Sequence, residues 1–422
     1  MFALGGLILV LAVGVGSCAN SDLFRASRGL DGQLRKARAE GLIVDLREYQ
    51  PPKVADSNNA GPAYRQALQE VQGVRKEAFQ TIQRLRKGSL SPEQERELRQ
   101  ALTEVQPTLQ AVVRAAAKPG LDFQRNWADG MHLQFPEYGG LHLIGDALRL
   151  DALRRLRSND VDGALREASA LAALGRHIGQ EPVIMAAIVQ GGTTDQAFEV
   201  LAEAIRIHGR DAKVREQIRK AVAQMGPPPD PRHSAKLELA WQLQAIDGMG
   251  SNSPGVIGEE SIPIEQRLGK LGIVRRAYKA RIVEYWRAFH AALPKDPTHY
   301  LEAFRAVREL DAEYDSAHGH EGHDHQQRSG LSYAMVLTMR PVFSGATTVM
   351  ARAEAEKRLL LAGVDVLDGK GSLPADPFSE GPLLRKGNLI YSVAENQKDD
   401  GGSREHGKGM GLPLDFVLAL PN

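Results

Sequence analysis

Three stretches of the chain hold side chains whose types and spacing could do chemistry. The densest is HGHEGHDH, in which His318, His320, His323 and His325 put four of the chain's 12 histidines close together, with Glu321 and Asp324 between them. Imidazole with carboxylate suits Zn²⁺, Cu²⁺ or Ni²⁺, and Gly319 and Gly322 let the backbone fold round an ion. All of these ligands come from one segment, whose ordering entropy would weaken binding; the alternative reading is a solvated linker between helices. The second stretch, Ser392 to Gly402, ends a β-branched run in Asp399-Asp400-Gly401-Gly402. Its two aspartates are candidate Ca²⁺ ligands, but Ca²⁺ takes roughly six to eight oxygens, and Lys398 beside them opposes a divalent ion. The third, 120–140, gathers Trp127, His132, Phe135 and Tyr138 in a chain with 5% aromatics. Trp127, Asp129 and His132 would line a pocket there; the plainer reading is a loop whose aromatics plug the end of a helical bundle. The chain has no G-x-S-x-G, H-E-x-x-H, Walker or EF-hand pattern. No catalytic residue is named, and no cofactor is required beyond optional Zn²⁺ or Ca²⁺.

The lone cysteine, Cys18, rules out a disulfide framework or a cysteine zinc site within the chain. It closes MFALGGLILVLAVGVGSCAN, whose Phe2 to Ala19 stretch is uncharged. As a helix that stretch would span about 27 Å, close to a bilayer core. The run reads as a short anchor or the apolar part of an export signal, and Cys18 is the candidate lipidation residue. No Lys or Arg precedes the run, while Arg25, Arg28, Arg35, Lys36 and Arg38 follow it. The positive-inside rule alone would keep the body in the cytoplasm. Export would instead place it on the membrane, facing the periplasm or the exterior, and that is the expectation adopted. The formal charge is +1, from 53 basic and 52 acidic residues, so no global field draws nucleic acid. The partners implied are a membrane and another protein.

The elements that must position these stretches are mostly helical. The helix formers Ala, Leu, Arg, Glu and Gln are abundant in 422 residues that are 42% apolar and 25% charged. Residues 20–60 read as a juxtamembrane helix and linker, broken at Pro51-Pro52. A helical subdomain follows over 61–226, opening with a hairpin. Val71, Val74, Ala78, Ile82 and Leu85 share one face, Ser91-Pro92 with Gln94 reads as a capped helix start, and Leu98 to Val112 continue the stripe. The proline run 226–231 separates a second helical subdomain over 231–317. The histidine segment 318–329 leads to a final module, 330–422, formed by a long helix and two β-like runs, 388–393 and 415–420. Ile390 and Tyr391 should face opposite ways, with one of them fully in the small core. The fold class expected is mainly α, a bundle of helical hairpins with a small α+β module at the C-terminus.

That module resembles the soluble core of type II secretion pseudopilins of the G kind. Asp376-Pro377-Phe378 and Pro382 match the family's D-P-aromatic element, and Ile390-Tyr391-Ser392 match its strand. Asp399, Asp400, Gly401 and Gly402 fall on its acidic glycine loop. The resemblance implies a helix followed by a small antiparallel sheet, with Ca²⁺ bound after the strand. Ala394 stands where the family has Gly, and Asn396-Gln397 replace its Asp-Gly. The segments EGLIVDLREYQPP, NNAGPAY and LDFQRNWADG resemble anchored helical envelope proteins of planctomycete-type bacteria, a group with no assigned activity. The function expected is a membrane-anchored interaction or scaffold protein of the cell envelope. The alternatives are an enzyme with a pocket at 120–140 and a metal-handling protein that uses the histidine segment.

Overall fold

The computed structural model describes residues 23–86, 90–227, 230–248, 272–316, 343–405 and 413–421. Cys18 and the four histidines at 318–325 lie outside these residues. The architecture is mainly α, a helical bundle with a three-stranded antiparallel sheet near the C-terminus.

The chain enters as helix α1 (23–39). The hairpin region then forms α2 (Gly61–Gln72), α3 (Lys76–Leu85) and α4 (Pro92–Ala116). Local chemistry sets the start of α4. Ser91 Oγ accepts from Gln94 N at 3.3 Å while Gln94 Oε1 accepts from Ser91 N at 2.9 Å, so two donors that the helix leaves unpaired are satisfied reciprocally. The expected stripe through Val74 is interrupted. The helix stops at Gly73, whose φ/ψ of −109°/−115° is non-helical, and Val74 is left 81% exposed on the turn between α2 and α3.

Helices α5 (Pro136–Arg157), α6 (Val161–Ile178), α7 (Ile184–His208) and α8 (Ala212–Gln224) form the centre of the body. Helix α7 packs on α5, α6 and the long C-terminal helix, and it is apolar round most of its circumference, as a helix enclosed by neighbours must be. Beyond the proline run come α9 (Pro231–Ser234), α10 (Glu238–Gly248), α11 (Gly272–Ala292) and α12 (Tyr300–Ser316). Tyr278, Tyr285, Trp286 and Phe289 of α11 are fully buried, and Trp286 Nε1 donates to Gln242 on α10 at 2.9 Å. Arg232 of α9 donates to the carbonyls of His290, Leu293 and Pro294, satisfying acceptors that the C-terminus of α11 leaves open.

Helix α1 lies along α11. Ala26 and Leu30 pack on Ala277 and Ala280. Arg276 pairs with Asp31 at 2.9 Å, and Arg287 donates to Gln33 at 2.7 Å and to Glu40 at 2.8 Å.

The C-terminal module consists of α13 (Phe343–Leu367) with β1 (Leu384–Lys386), β2 (Leu389–Ser392) and β3 (Phe416–Ala419) in sheet order β1-β2-β3. Two strands match the β-like runs; β1 is too short to show period two in sequence. Register places Tyr391 opposite Leu384 and Val417, and Ile390 opposite Arg385 and Leu418. Gly363 lets α13 approach the sheet, since a Cβ there would come within 2.5 Å of Leu418. Ile390 and Tyr391 do not divide into core and surface as expected. Both are buried, at 0% and 4% exposure. Helix α13 covers one side of the sheet, and the ring of Tyr391 lies under Gly402, where an added Cβ would sit 3.3 Å away. Arg215 with Asp368 at 2.6 Å and Arg219 with Asp365 at 2.9 Å hold the end of α13 to α8.

Candidate functional site

The irregular segment between α4 and α5 is fastened to the body at successive points. Asn59, just before α2, accepts from Asp122 N at 2.8 Å and donates to Asp122 O at 2.9 Å, so one amide side chain mimics a paired strand. Gln180, past the end of α6, accepts from Leu121 N at 2.9 Å and donates to Pro119 O at 3.2 Å. The strongest fastening is Arg125. Its guanidinium donates to Glu181 at 2.6 Å and to Glu137 at 2.9 Å, and its side chain is 4% exposed. Phe123, Phe135 and Tyr138 surround the same cation at 4.9, 4.6 and 5.6 Å from its carbon to each ring centre. Tyr138 donates to Glu181 at 2.6 Å, and Arg65 shares Glu137 at 3.1 Å. Each buried charge has a partner, which such charges need if they are not to destabilise the fold.

This arrangement separates the residues that sequence grouped into a pocket. Trp127 is buried at 8% exposure, edge-on to Tyr49 with centroids 5.8 Å apart. Asp129 and His132 are exposed on the far part of a 3-10 turn. Asp129 accepts from Asn126 Nδ2 at 2.6 Å. Gly130 turns the chain at φ +55° against Gln244, whose Oε1 would lie 1.3 Å from any added Cβ. The aromatics therefore plug the bundle, and the Trp127–Asp129–His132 triad is not assembled.

A cleft of about 700 Å³ opens beside Trp127 instead. Its walls include Tyr49, Pro51, Pro52 and Val54 from the arm before α2, with Pro182, Pro227 and Pro297. Asp122, Arg176, Gln180, Glu181, Asp230 and His233 supply its polar groups. Many of these are already engaged. Arg176 donates to Pro119 O at 2.8 Å and to Gln224 O at 3.1 Å, and His233 Nε2 lies 3.1 Å from Gln180 O. Behind Arg176, His177 Nδ1 accepts from the Tyr64 hydroxyl at 2.9 Å and its Nε2 donates to Lys118 O at 2.7 Å. Burial, with the Arg176 charge beside it, pushes His177 down to about 4, so this imidazole is a neutral structural link. Arg125, Asn59, Glu181 and His177 were not singled out from sequence. An arginine set among Phe123, Trp127 and Phe135 is the one local signal that would have found any of them.

The acidic turn of the tail is wired internally. Asp399 Oδ1 accepts from the Tyr391 hydroxyl and from Gly401 N, both at 2.9 Å, and Asp400 accepts from Asn396 at 2.7 Å. Ser392 turns away to donate to the buried Asp376 at 2.7 Å. Asp376 also accepts from Phe378 N at 2.9 Å and Val393 N at 3.0 Å, which ties the Asp-Pro-Phe element to the strand. Among the described residues, no group of three or more His, Cys, Asp or Glu is placed to hold a metal ion. Asp399 and Asp400 thus accept from neighbouring side chains and backbone.

Two further carboxyl clusters lie inside the bundle. Asp151 and Glu167 both accept from Arg155 Nε, at 2.8 and 3.1 Å, with Arg154 and Gln106 also on Asp151 and Asp160 also on Arg155. Burial and the adjacent Asp151 charge raise Glu167 to about 9. Arg352 bridges Glu356, at 2.8 Å, and Asp195, and burial with the Asp195 charge raises Glu356 to about 8. Burial raises Glu238, which accepts from Ile184 N at the start of α7, to about 7. None of these carboxylates lines the Trp127 cleft.

Comparison with protein-family models, with curated proteins and with solved structures returned no match to this chain. Among the described residues, no helix is long and apolar enough to cross a membrane.

Proposed function

We propose that this chain is an envelope-anchored helical interaction protein that receives a segment of a partner protein in the cleft beside Trp127. The observation that carries the reading is the make-up of that cleft. It is a concave surface of proline and aromatic walls, of a size that takes a short extended segment, and a buried ion cluster stiffens one side of it. The polar groups around it hold the backbone in place, which suits recognition better than proton transfer. Anchoring rests on the uncharged run that ends at Cys18 and remains part of the proposal.

A photo-crosslinking side chain at position 54, on the cleft wall, tests the reading in intact cells. A discrete adduct is expected there and none from position 74, which is exposed on the α2–α3 turn. Equal labelling at both positions, or none at 54, would remove the cleft from the proposal. Anchoring is tested separately: the chain should stay in the membrane fraction after a salt wash. Cys18→Ser should abolish that retention if a lipid is the anchor and leave it unchanged if the apolar run is.

A further inference from the structure

Resting on the reading of the cleft as a partner site, we infer that its occupant is a peptide segment that presents a lysine or arginine side chain to the Tyr49–Asp122 end. Two of the three carboxylates on the cleft lining stand outside any ion pair among the described residues. Glu181 is offset by Arg125. Asp122 and Asp230 each spend one carboxylate oxygen on a backbone N–H, of Gln124 at 2.6 Å and of Arg232 at 2.9 Å. Neither forms an ion pair with a basic side chain among the described residues. Arg176, the one guanidinium among the described lining residues, is directed at the carbonyls of Pro119 and Gln224 and is paired with none of these carboxylates.

Asp122 and Glu181 line the cleft together with Tyr49. The Tyr49 hydroxyl is raised first by burial and then by the charges of Glu181 and Asp122, which places both carboxylates within electrostatic reach of that ring. The chain's own Lys236 rests its ammonium 5.4 Å from the Tyr49 ring centre, on a wall that therefore accepts a cation. Low-dielectric walls concentrate such a field, so a basic side chain would gain from both the rings and the carboxylates, and an acidic one would be repelled.

The test uses the full-length chain in detergent micelles and three fluorescein-labelled peptides read by anisotropy. They are acetyl-Pro-Leu-Lys-Pro-Leu-amide and the same sequence with norleucine or glutamate in place of lysine. The lysine peptide should bind about tenfold more tightly than the norleucine peptide at low salt, and the glutamate peptide more weakly than either. Asp122→Asn keeps the acceptor for Gln124 N, so it should shrink the ratio of lysine to norleucine affinity. Equal binding of lysine and norleucine peptides would overturn the charge assignment while leaving the cleft as a binding site. Binding of none of the three would also overturn it, and the crosslink from position 54 would then decide independently whether the cleft is used at all.

Discussion

The segment between α4 and α5 and the turn after β2 are both irregular, and both attract notice in the sequence, yet they are fixed by opposite means. The first is held by side-chain charge: Arg125, almost without exposure, joins Glu137, Glu181 and three aromatic rings. The second is held by carboxylates that cap backbone N–H groups, Asp376 on Phe378 and Val393, Asp399 on Gly401, and Asp415 on Gly402 and Ser403. It also takes positive φ at Ala394, Gln397, Gly401 and Gly402, at 52°, 56°, 73° and 79°. A loop fixed through one buried ion concentrates its stability in that residue. A loop fixed through many backbone contacts spreads it, and stores some strain.

Arg125→Met should give the largest effect and test the first half of that contrast. It leaves Glu137 and Glu181 short of a partner at a buried site, a loss of about 3–5 kcal/mol. Chemical denaturation should show it, with a change in Trp127 fluorescence. A loss near zero would mean that the aromatics hold the segment without the charge. Asp376→Ala, in the tail, strands the Ser392 hydroxyl and two backbone donors and should cost about 2–3 kcal/mol; Asp376→Asn should cost less because an acceptor remains.

Titration separates the body from the module beneath the tail. Glu167 and Glu356 bind a proton in the folded chain up to about 9 and 8, well above their unfolded values. Their contribution is complete below the unfolded pKa and is lost as pH rises through the folded one. His177 and His290 are both lowered to about 4, so their contribution runs the other way and is lost as pH falls below the unfolded imidazole value. The two sets oppose each other at mildly acidic pH. Above about pH 6.5, where free imidazole is already neutral, these two glutamates still act, joined by Glu238 up to about 7. The unfolding free energy should therefore fall from pH 6.5 to 9, at no more than about 1.4 kcal/mol per pH unit for each glutamate, and the melting temperature with it. Glu167→Gln and Glu356→Gln should each flatten part of that decline, and an unchanged slope in both would refute the assignment.

Gln397→Gly should produce the smallest change, and a stabilising one. It removes an L side chain from φ +56°, a relief that exceeds the added chain entropy by about 0.5–1 kcal/mol. Ala394→Gly relieves similar strain but deletes a methyl that is 1% exposed, so it should be close to neutral. A clear loss in Gln397→Gly would show that its side chain, and not the backbone of the turn, positions that loop.

Short-range signals in the sequence located the elements well. Ser91, Pro92 and Gln94 lie within one turn and cap the helix they announce, and the runs at 388–393 and 415–420 contain β2 and β3. The same reading carried an apolar spacing through Val74, because periodicity does not register that Gly73 has left helical φ/ψ. Tyr391 was harder still: its face is covered by residues 399–402, a fact of tertiary placement. The cleft was legible only as an aromatic excess near Trp127. Its opposite wall comes from the arm at 49–54 and from Pro182, Pro227 and Pro297, and no local pattern links segments so far apart. Ala394 and Gln397 both adopt the left-handed backbone that glycine favours, which nothing in the local residue pattern announces.

Helix α1 has a mechanical consequence. Among the described residues it covers 23–39, and it is joined to α11 by apolar contacts and by Arg276 and Arg287 along its length. Because no slack linker intervenes within 23–39, a pull on the N-terminal side of α1 would load α11 in shear across several contacts at once. Rotation of α1 would likewise turn α11 and the wall of α10 packed on it. The arm that carries Tyr49 to Val54 follows α1 after a short turn and the 3-10 helix Leu46–Glu48, so one wall of the cleft is joined to that helix through nine residues, 40–48. Whatever fixes the direction of α1 fixes the direction in which the cleft faces.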